Sequence, residues 1–181
     1  MLCRRIADPA GEASALANLG LCGLRNSRYA QAADHLHQSL GWYRQSGDPA
    51  GQAQALTILA AVEQQQGRYD QASGQYRQAL DFYLKAGDPS GVSEARNGLG
   101  ELLLATGQPS QARTEHATAL QLASRIGDTY EQAHAHDGLG RAYRALGDSE
   151  QARHHQRKAL ALYTELGVPE ADQARALLGG R

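Results

Sequence analysis

The seven histidines are the residues of this sequence that could bind a metal ion, and their spacing decides whether they do. His134 and His136 are two residues apart, and His154 and His155 are adjacent. On an α-helix these separations turn the imidazoles about 200° and about 100° away from each other, so neither pair chelates from one helix face. A metal site would require His116 and His136 to meet across the boundary between two repeats. We therefore expect packing roles for these two histidines and no bound metal.

The residues that serve as nucleophiles in enzymes have no base beside them in this sequence. Neither Cys22 nor any serine has a histidine in the same or the facing position that could accept its proton. The segment Gly138–Gly140 resembles the start of a dinucleotide-binding fingerprint, but it lacks the next glycine and a preceding strand. The sequence therefore predicts a protein without enzymatic activity and without a cofactor.

The charge pattern gives little reason to expect nucleic acid or a membrane among the partners. The 181 residues carry 18 lysines and arginines against 19 aspartates and glutamates, a formal net charge of −1. The segment Arg153–Lys158 is basic, yet it has no neighbouring aromatic residue on which a base could stack. A solvated helix face explains this segment. No apolar run approaches the roughly 20 residues that span a bilayer.

One recurring corner organises the whole chain. Gly87–Gly91 reads GDPSG, and 40 residues earlier Gly47–Gly51 reads GDPAG. Related corners stand at the same spacing at Asp8–Gly11, Gly127–Thr129 and Gly167–Pro169. Glycine closes a helix in the left-handed conformation, aspartate caps the next helix, and proline suits a first helical position. Each corner is therefore predicted to end one helix and begin another.

Between the corners, the spacing of apolar residues predicts helices. Ala72, Tyr76, Ala79, Leu80 and Tyr83 follow steps of 4, 3, 1 and 3 residues, which draw one stripe along a helix. A glycine midway through the second, third and fourth units divides each unit into two helices, and an Asn-Ser pair takes that place in the first unit. The predicted fold is therefore an all-α solenoid of antiparallel helix pairs.

On this period the chain divides into four repeats of one solenoid domain: residues 8–47, 48–87, 88–127 and 128–167. Residues 168–181 are predicted to supply a C-terminal capping helix and tail. Residues 1–7 align with the end of a later helix, so we interpret them as the tail of a preceding repeat and the chain as part of a longer protein. The two cysteines form no CxxC pair and no secretory leader is recognisable, so we expect a cytoplasmic protein.

The repeats resemble the tetratricopeptide repeat family over about residues 8–167. The fourth repeat carries the signature best, in Leu139, Gly140, Tyr143, Gly147, Ala152, Ala159 and Leu160. The second repeat follows with Leu59, Ala60, Gly67, Tyr69, Ala72, Tyr76 and Ala79. The proline that commonly ends the second helix is missing, and the period is 40 rather than the common 34. In these features the chain resembles the C-terminal sensor arrays of actinobacterial antibiotic-pathway transcriptional regulators and of STAND-type signalling ATPases.

The resemblance implies a right-handed solenoid of about four full repeats plus the capping helix, whose first helices line a concave groove. It also implies the partner-binding residues of that groove, which are Asn18, Leu21, Leu24, Gln54, Thr57, Gln64, Glu94, Asn97, Glu101, Leu104, His134, Asp137, Arg141 and Arg144. Their character changes from apolar and neutral, through the acidic Glu94 and Glu101, to the basic Arg141 and Arg144. Such a gradient would orient an extended peptide or a partner helix.

Two functions from different classes fit this sequence. The first is a non-enzymatic scaffold that binds a protein or peptide segment in the groove, as the sensor or interaction domain of a larger bacterial regulatory protein. The segment could belong to another domain of the same protein. The family's carboxylate clamp is not reproduced, which disfavours a chaperone-tail adaptor. The alternative is a homotypic assembly module, in which Leu16 and Leu19 of the first helix are exposed and drive dimerisation.

Overall fold

The computed structural model describes residues 9–179, and these residues form nine α-helices and no strand. The helices are α1 (Pro9–Arg25), α2 (Tyr29–Ser46), α3 (Pro49–Gln65), α4 (Tyr69–Ala86), α5 (Pro89–Ala105), α6 (Pro109–Ile126), α7 (Thr129–Ala145), α8 (Ser149–Leu166) and α9 (Glu170–Gly179). The all-α repeat fold predicted from the sequence is therefore confirmed. The predicted helix tail at residues 1–7 and the last two residues of the predicted C-terminal tail lie outside the described residues.

The corners have the conformations that their residue types predict. Gly47 ends α2 in the left-handed region at φ 67°. Asp48 then caps α3, because its Oδ1 accepts hydrogen bonds from the backbone N–H groups of Ala50 and Gly51, each at 3.0 Å. Ser27, in the place that glycine takes in the later repeats, also has a positive φ, of 57°. The helix ends therefore follow from local chemistry, as predicted.

The chain divides into two compact units, Met1–Phe82 and Tyr83–Arg181, with the boundary inside α4. In the first unit, α1 packs against both α2 and α3. Its apolar core includes Ala32, Ala33, Leu36, Ile58, Leu59 and Val62. In the second unit, α5 packs against α6 and α7, and α8 packs against α7 and α9. The organisation as one domain of four repeats remains a prediction.

Small residues let the helices approach closely in both units. A Cβ placed on Gly20 would lie 2.5 Å from Cγ of Leu36, so α1 and α2 could not keep this distance with a larger residue there. A Cβ on Gly140 would lie 2.6 Å from Cγ of Gln156. The recurring small residue after the core leucine therefore serves packing, as the sequence predicts.

The last helix covers the end of the second unit. Ala171 and Ala174 of α9 are buried, and they belong to one apolar cluster with Ala133 of α7 and with Ala159 and Tyr163 of α8. Asp172 and Arg175 of α9 remain exposed and form an ion pair with each other. This polar outer face is typical of a terminal helix in a repeat array.

Candidate functional site

Polar side chains from three helices of the second unit meet where α5 and α7 lie side by side. Helix α5 contributes three of them and α7 contributes four, at spacings of three or four residues that keep them on one helix face. Helix α6 contributes one more from below. We call this set the polar cluster: Glu94, Asn97, Glu101, His116, Glu131, His134, Asp137 and Arg141.

His116 is fully buried and lies at the bottom of the polar cluster. Its Nδ1 lies 3.0 Å from Oδ1 of Asn97, while Nδ2 of Asn97 donates to Glu131 at the carboxylate (2.8 Å) and at the backbone oxygen (3.2 Å). Because Asn97 uses its N–H groups on Glu131, its Oδ1 accepts, and Nδ1 of His116 must carry the proton. Nε2 of His116 therefore keeps a lone pair, and it has no hydrogen-bond partner.

Two glycines create the space for this imidazole. A Cβ on Gly100 would lie 2.4 Å from Nε2 of His116, and a Cβ on Gly138 would lie 2.2 Å from its Cε1. The ring is thus enclosed by the backbones of α5 and α7. Burial lowers the pKa of His116 to about 3, against the smaller opposite influence of Glu101. The histidine is therefore neutral at physiological pH.

Above His116, an ion-pair network joins α5 to α7. Arg141 donates a hydrogen bond to Oε1 of Glu101, and its Nε lies 3.1 Å from Oδ2 of Asp137. Burial alone would raise the pKa of Glu101, but the neighbouring Arg141 and then His134 outweigh it, so this pKa is lowered. For Asp137 burial prevails over Arg141, and the pKa is raised. One guanidinium therefore serves two carboxylates.

His134 lies between two carboxylates of the polar cluster. Its Nε2 is 3.8 Å from Oε1 of Glu101, and its Nδ1 is 3.9 Å from Oε2 of Glu131. Burial raises the pKa of Glu131, although His134 and the hydrogen bond from Asn97 act in the opposite direction. The Glu131 carboxylate is therefore only partly compensated by its neighbours.

Glu94 lies at the acidic end of the polar cluster. Its side chain is exposed to water, although protein atoms also lie close around the carboxylate. This enclosure, followed by the like charges of Glu131, Asp88 and Asp128, raises the pKa of Glu94. A cation placed here would relieve the repulsion.

The structure brings six of the predicted groove residues together in the polar cluster: Glu94, Asn97, Glu101, His134, Asp137 and Arg141. Asn97 is fully buried, so it orients its neighbours and does not face a partner directly. Leu104 is half-buried near the end of α5. Arg144 lies elsewhere, where its guanidinium donates to Oε1 of Gln156 and to the backbone oxygen of Leu177.

The predicted groove residues of the first unit have a different character. Asn18 and Gln54 are exposed, and Gln64 is half-buried. Thr57 is only 5% exposed, and its hydroxyl donates to the backbone oxygen of Ala53 in its own helix. Leu21 and Leu24 pack against the apolar core of this unit. Within the described part of this unit, the predicted groove residues thus form no polar network comparable to the polar cluster.

Within residues 9–179, no helix is both long enough and apolar enough to cross a membrane. In the same part of the chain, no group of three or more histidine, cysteine, aspartate or glutamate side chains is arranged to hold a metal ion.

A family model for the tetratricopeptide repeat matches residues 11–85 and 91–165, which together are most of the chain. The chain belongs to the tetratricopeptide repeat family. The predicted family is thereby confirmed, and with it a fold that typically serves as a non-catalytic scaffold for protein interactions. No curated protein sequence matches the chain significantly.

Solved structures with the same fold include two that match over almost the whole chain. One is BtubC (BKLC) from P. vanneervenii, with a TM-score of 0.74 and 22% identity over 90% of this chain and 67% of that chain. The other is a Rap protein in complex with Competence and Sporulation Factor, with a TM-score of 0.84 and 22% identity over 92% of this chain. This chain spans only 47% of the Rap protein's length.

Sequence reasoning missed two members of the polar cluster in this tetratricopeptide repeat array. His116 is predicted to serve packing, and it is fully buried between Gly100 and Gly138, but its hydrogen bond with Asn97 is not predicted. Glu131 is not among the predicted site residues. A comparison of equivalent positions in the repeats could have identified both residues. Position 116 corresponds to Leu36 in the first repeat, and position 131 corresponds to Gly51 in the second. The replacement of a leucine by histidine at the first position, and of a glycine by glutamate at the second, marks a change of role.

A second polar contact was also missed, on the α7–α8 repeat. Nδ1 of His136 lies 2.8 Å from Nδ1 of His155, and Tyr143 stacks on His155 with ring centroids 5.4 Å apart. The equivalent pair in the α5–α6 repeat is Arg96 and Glu115, which form an ion pair at 2.6 Å. Burial and then the neighbouring His155 lower the pKa of His136 to about 4. His136 thus joins the two helices of one hairpin by a neutral hydrogen bond.

Proposed function

We propose that this protein binds a segment of a partner protein at the polar cluster between α5 and α7, without catalysis, as the interaction or sensor domain of a larger cytoplasmic regulatory protein. The partner segment presents a basic side chain to the exposed Glu94, and its charge also acts on Glu131, which is only 8% exposed behind it. The Rap protein with the same fold was crystallised with Competence and Sporulation Factor, which is consistent with a ligand-binding role for such an array.

The observation that carries the proposal is that the fold does not require these polar residues. The first unit builds the same helix arrangement with mostly apolar or small residues at the equivalent positions. The eight residues at these positions, none of them charged, are Ser14, Ala17, Leu21, Leu36, Gly51, Gln54, Thr57 and Ala61. Burying polar and charged groups costs free energy that apolar packing avoids. A binding role explains why the second unit keeps them.

The chemistry of the polar cluster indicates the charge of the partner. Four carboxylates share one guanidinium there, and Arg141 is already engaged by Glu101 and Asp137. The raised pKa values of Glu94 and Glu131 show that negative charge is unfavourable at this end. A lysine or arginine side chain from a partner would stabilise both ionised carboxylates and would fix the direction of the bound segment.

A peptide library tests this function directly. Dodecapeptides with one position fixed as arginine, glutamate or alanine are titrated against the protein by fluorescence polarisation. We expect arginine-containing peptides to bind, and we expect Glu94→Gln to weaken them about tenfold, which corresponds to about 1.4 kcal/mol. Gln54 is the natural residue at the equivalent position, so this variant should fold normally.

Glu150→Gln is the matched control, because Glu150 is exposed on α8 and is not a member of the polar cluster. Its affinity for the arginine-containing peptides should equal that of the wild type. Equal binding of glutamate- and arginine-containing peptides, or equal weakening by both variants, would exclude the polar cluster as a site for a basic partner segment.

A specific observation supports self-association as a second candidate function. Leu19 of α1 is 51% exposed, whereas the leucines at the equivalent positions 59, 99 and 139 are 1%, 8% and 3% exposed. Leu16, one helical turn earlier, is half-buried. A second copy of the chain that covered this face would remove exposed apolar surface from water.

A further inference from the structure

A cavity of about 180 Å³ lies between α7, α8 and α9, away from the polar cluster. Its polar lining consists of Arg144, Ser149, Arg153 and Gln156, and Leu177 and Leu178 of α9 form an apolar wall. Among residues 9–179, no carboxylate side chain lines it. Every charged side chain in this described lining is therefore a cation.

Gln156 offers a buried amide N–H donor to a hydrogen-bond acceptor in this cavity. The side chain is only 1% exposed, and its Oε1 accepts a hydrogen bond of 2.8 Å from Arg144. That donor fixes the orientation of the amide, because a guanidinium cannot accept a hydrogen bond. The NH₂ group is left buried without an acceptor among the described residues. An unsatisfied buried donor is unfavourable unless a ligand completes it.

The two arginines are not neutralised within the described part of the chain. Arg144 donates only to neutral oxygens, those of Gln156 and of the Leu177 backbone. Arg153 has no carboxylate within ion-pair distance among the described side chains, and it is exposed at the mouth of the cavity. Ser149 adds a hydroxyl donor from the first turn of α8. Donors that converge on one cavity match the oxygen atoms of an anion.

We propose that this cavity binds a small oxyanion, either a carboxylate or a phosphate group, through Gln156, Arg153, Arg144 and Ser149. The buried amide of Gln156 contacts one oxygen at the base of the cavity, and Arg153 contacts another at the mouth. The site is separate from the polar cluster and does not depend on the function proposed for it. The two ends of the second unit would thus recognise opposite charges.

The test uses sodium phosphate and sodium acetate as probes, with sodium chloride at equal ionic strength as the reference. NMR spectra of the ¹⁵N-labelled protein follow the side-chain amide of Gln156 and the backbone amide of Leu178. We expect saturable shifts with at least one oxyanion and none with chloride. Saturation by acetate identifies carboxylate recognition, and saturation by phosphate alone identifies phosphate recognition. Shifts that do not saturate, or that chloride reproduces, would overturn the proposal.

Three variants locate the binding. Arg153→Ala should weaken binding about tenfold, as expected for the loss of a charge-assisted hydrogen bond. Gln156→Leu should abolish saturation of the Leu178 shift, and it should fold because Leu36 occupies the equivalent position. Arg157→Ala removes an exposed charge from the same helix but not from the cavity. Equal weakening by Arg153→Ala and Arg157→Ala would mean diffuse attraction to a basic helix and would overturn the site.

Discussion

At the position of His116, a buried imidazole replaces the apolar packing seen in the first repeat. There, Leu36 lies against Gly20 and belongs to one cluster with Ile58. In the second unit, His116 lies between Gly100 and Gly138, and Asn97 fixes its tautomer. Histidine in place of leucine thus converts an apolar contact into the buried part of a polar network. It also gives the folded state a proton-binding equilibrium that the apolar version lacks.

The buried His116 predicts a loss of stability in acid. Its pKa is about 3 in the folded protein and about 6.5 when unperturbed, so between these values the unfolded chain binds more protons. The free energy of unfolding should therefore fall as pH decreases through this window, by up to about 1.4 kcal/mol per pH unit. Glu94 acts in the opposite direction, because its raised pKa favours the folded state as pH falls from about 7.

Comparison with His116→Leu isolates the contribution of this histidine. Urea denaturation at several pH values should show that the unfolding free energy of the wild type, minus that of the variant, falls steadily from pH 6.5 to pH 4. Loss of the partner of Asn97 shifts the variant by a constant and does not alter the slope. His37→Gln, at an exposed position, serves as the control and should keep the wild-type slope. Parallel curves for wild type and His116→Leu would refute the assignment.

The helices themselves could be predicted from the sequence because their ends depend on local chemistry. Asp48 and Asp88 cap the helices that they precede, and the corner glycines take the left-handed conformation. The contacts of long side chains could not be predicted in this way. Arg144 and Leu104 are predicted groove residues at equivalent positions of their repeats, yet the guanidinium of Arg144 reaches Gln156 and α9. The position of a residue in the repeat determines the helix face on which it lies, but it does not determine the rotamer of a long side chain.

Ser27 is the corner residue that departs from the preferred chemistry. Its φ of 57° is one that glycine adopts without a steric penalty, and glycine takes this place in the other repeats. Ser27→Gly should therefore stabilise the protein by up to about 1 kcal/mol, less the weak contact from the Tyr29 hydroxyl. Ser124→Gly, at an exposed position inside α6, should destabilise by about 0.5 to 1 kcal/mol. Thermal denaturation of both variants checks the opposite signs, and destabilisation by Ser27→Gly would contradict the strain argument.

At the scale of the whole molecule, the two units have divided their chemistry. In the first unit, the described side chains form an apolar core, and the predicted groove residues carry no charge. The second unit holds the polar cluster and the proposed oxyanion cavity. The first unit also has the exposed Leu19 on α1. We therefore expect association through the first unit and recognition of charged groups through the second.

Self-association through α1 predicts a concentration-dependent mass. Light scattering over a dilution series should show a dimer for the wild type and a monomer for Leu19→Gln, because the glutamine removes apolar surface from the contact. Leu166→Gln, which changes another exposed leucine in α8, should leave the dimer intact. A monomer at all concentrations in the wild type, or a dimer that Leu19→Gln leaves intact, refutes the candidate.

The enclosure of His116 also restricts the order in which such an array can diversify after its repeats have been duplicated. In the first unit, the residue equivalent to Gly138 is Ile58. A side chain at this position excludes an imidazole, because a Cβ on Gly138 would already lie 2.2 Å from the ring of His116. A repeat of the Leu36 type must therefore lose the isoleucine before it can gain the histidine. With leucine still at position 36, loss of this isoleucine should leave a cavity that costs roughly 2 to 5 kcal/mol. The exchange is therefore open only to an array whose other contacts supply that stability.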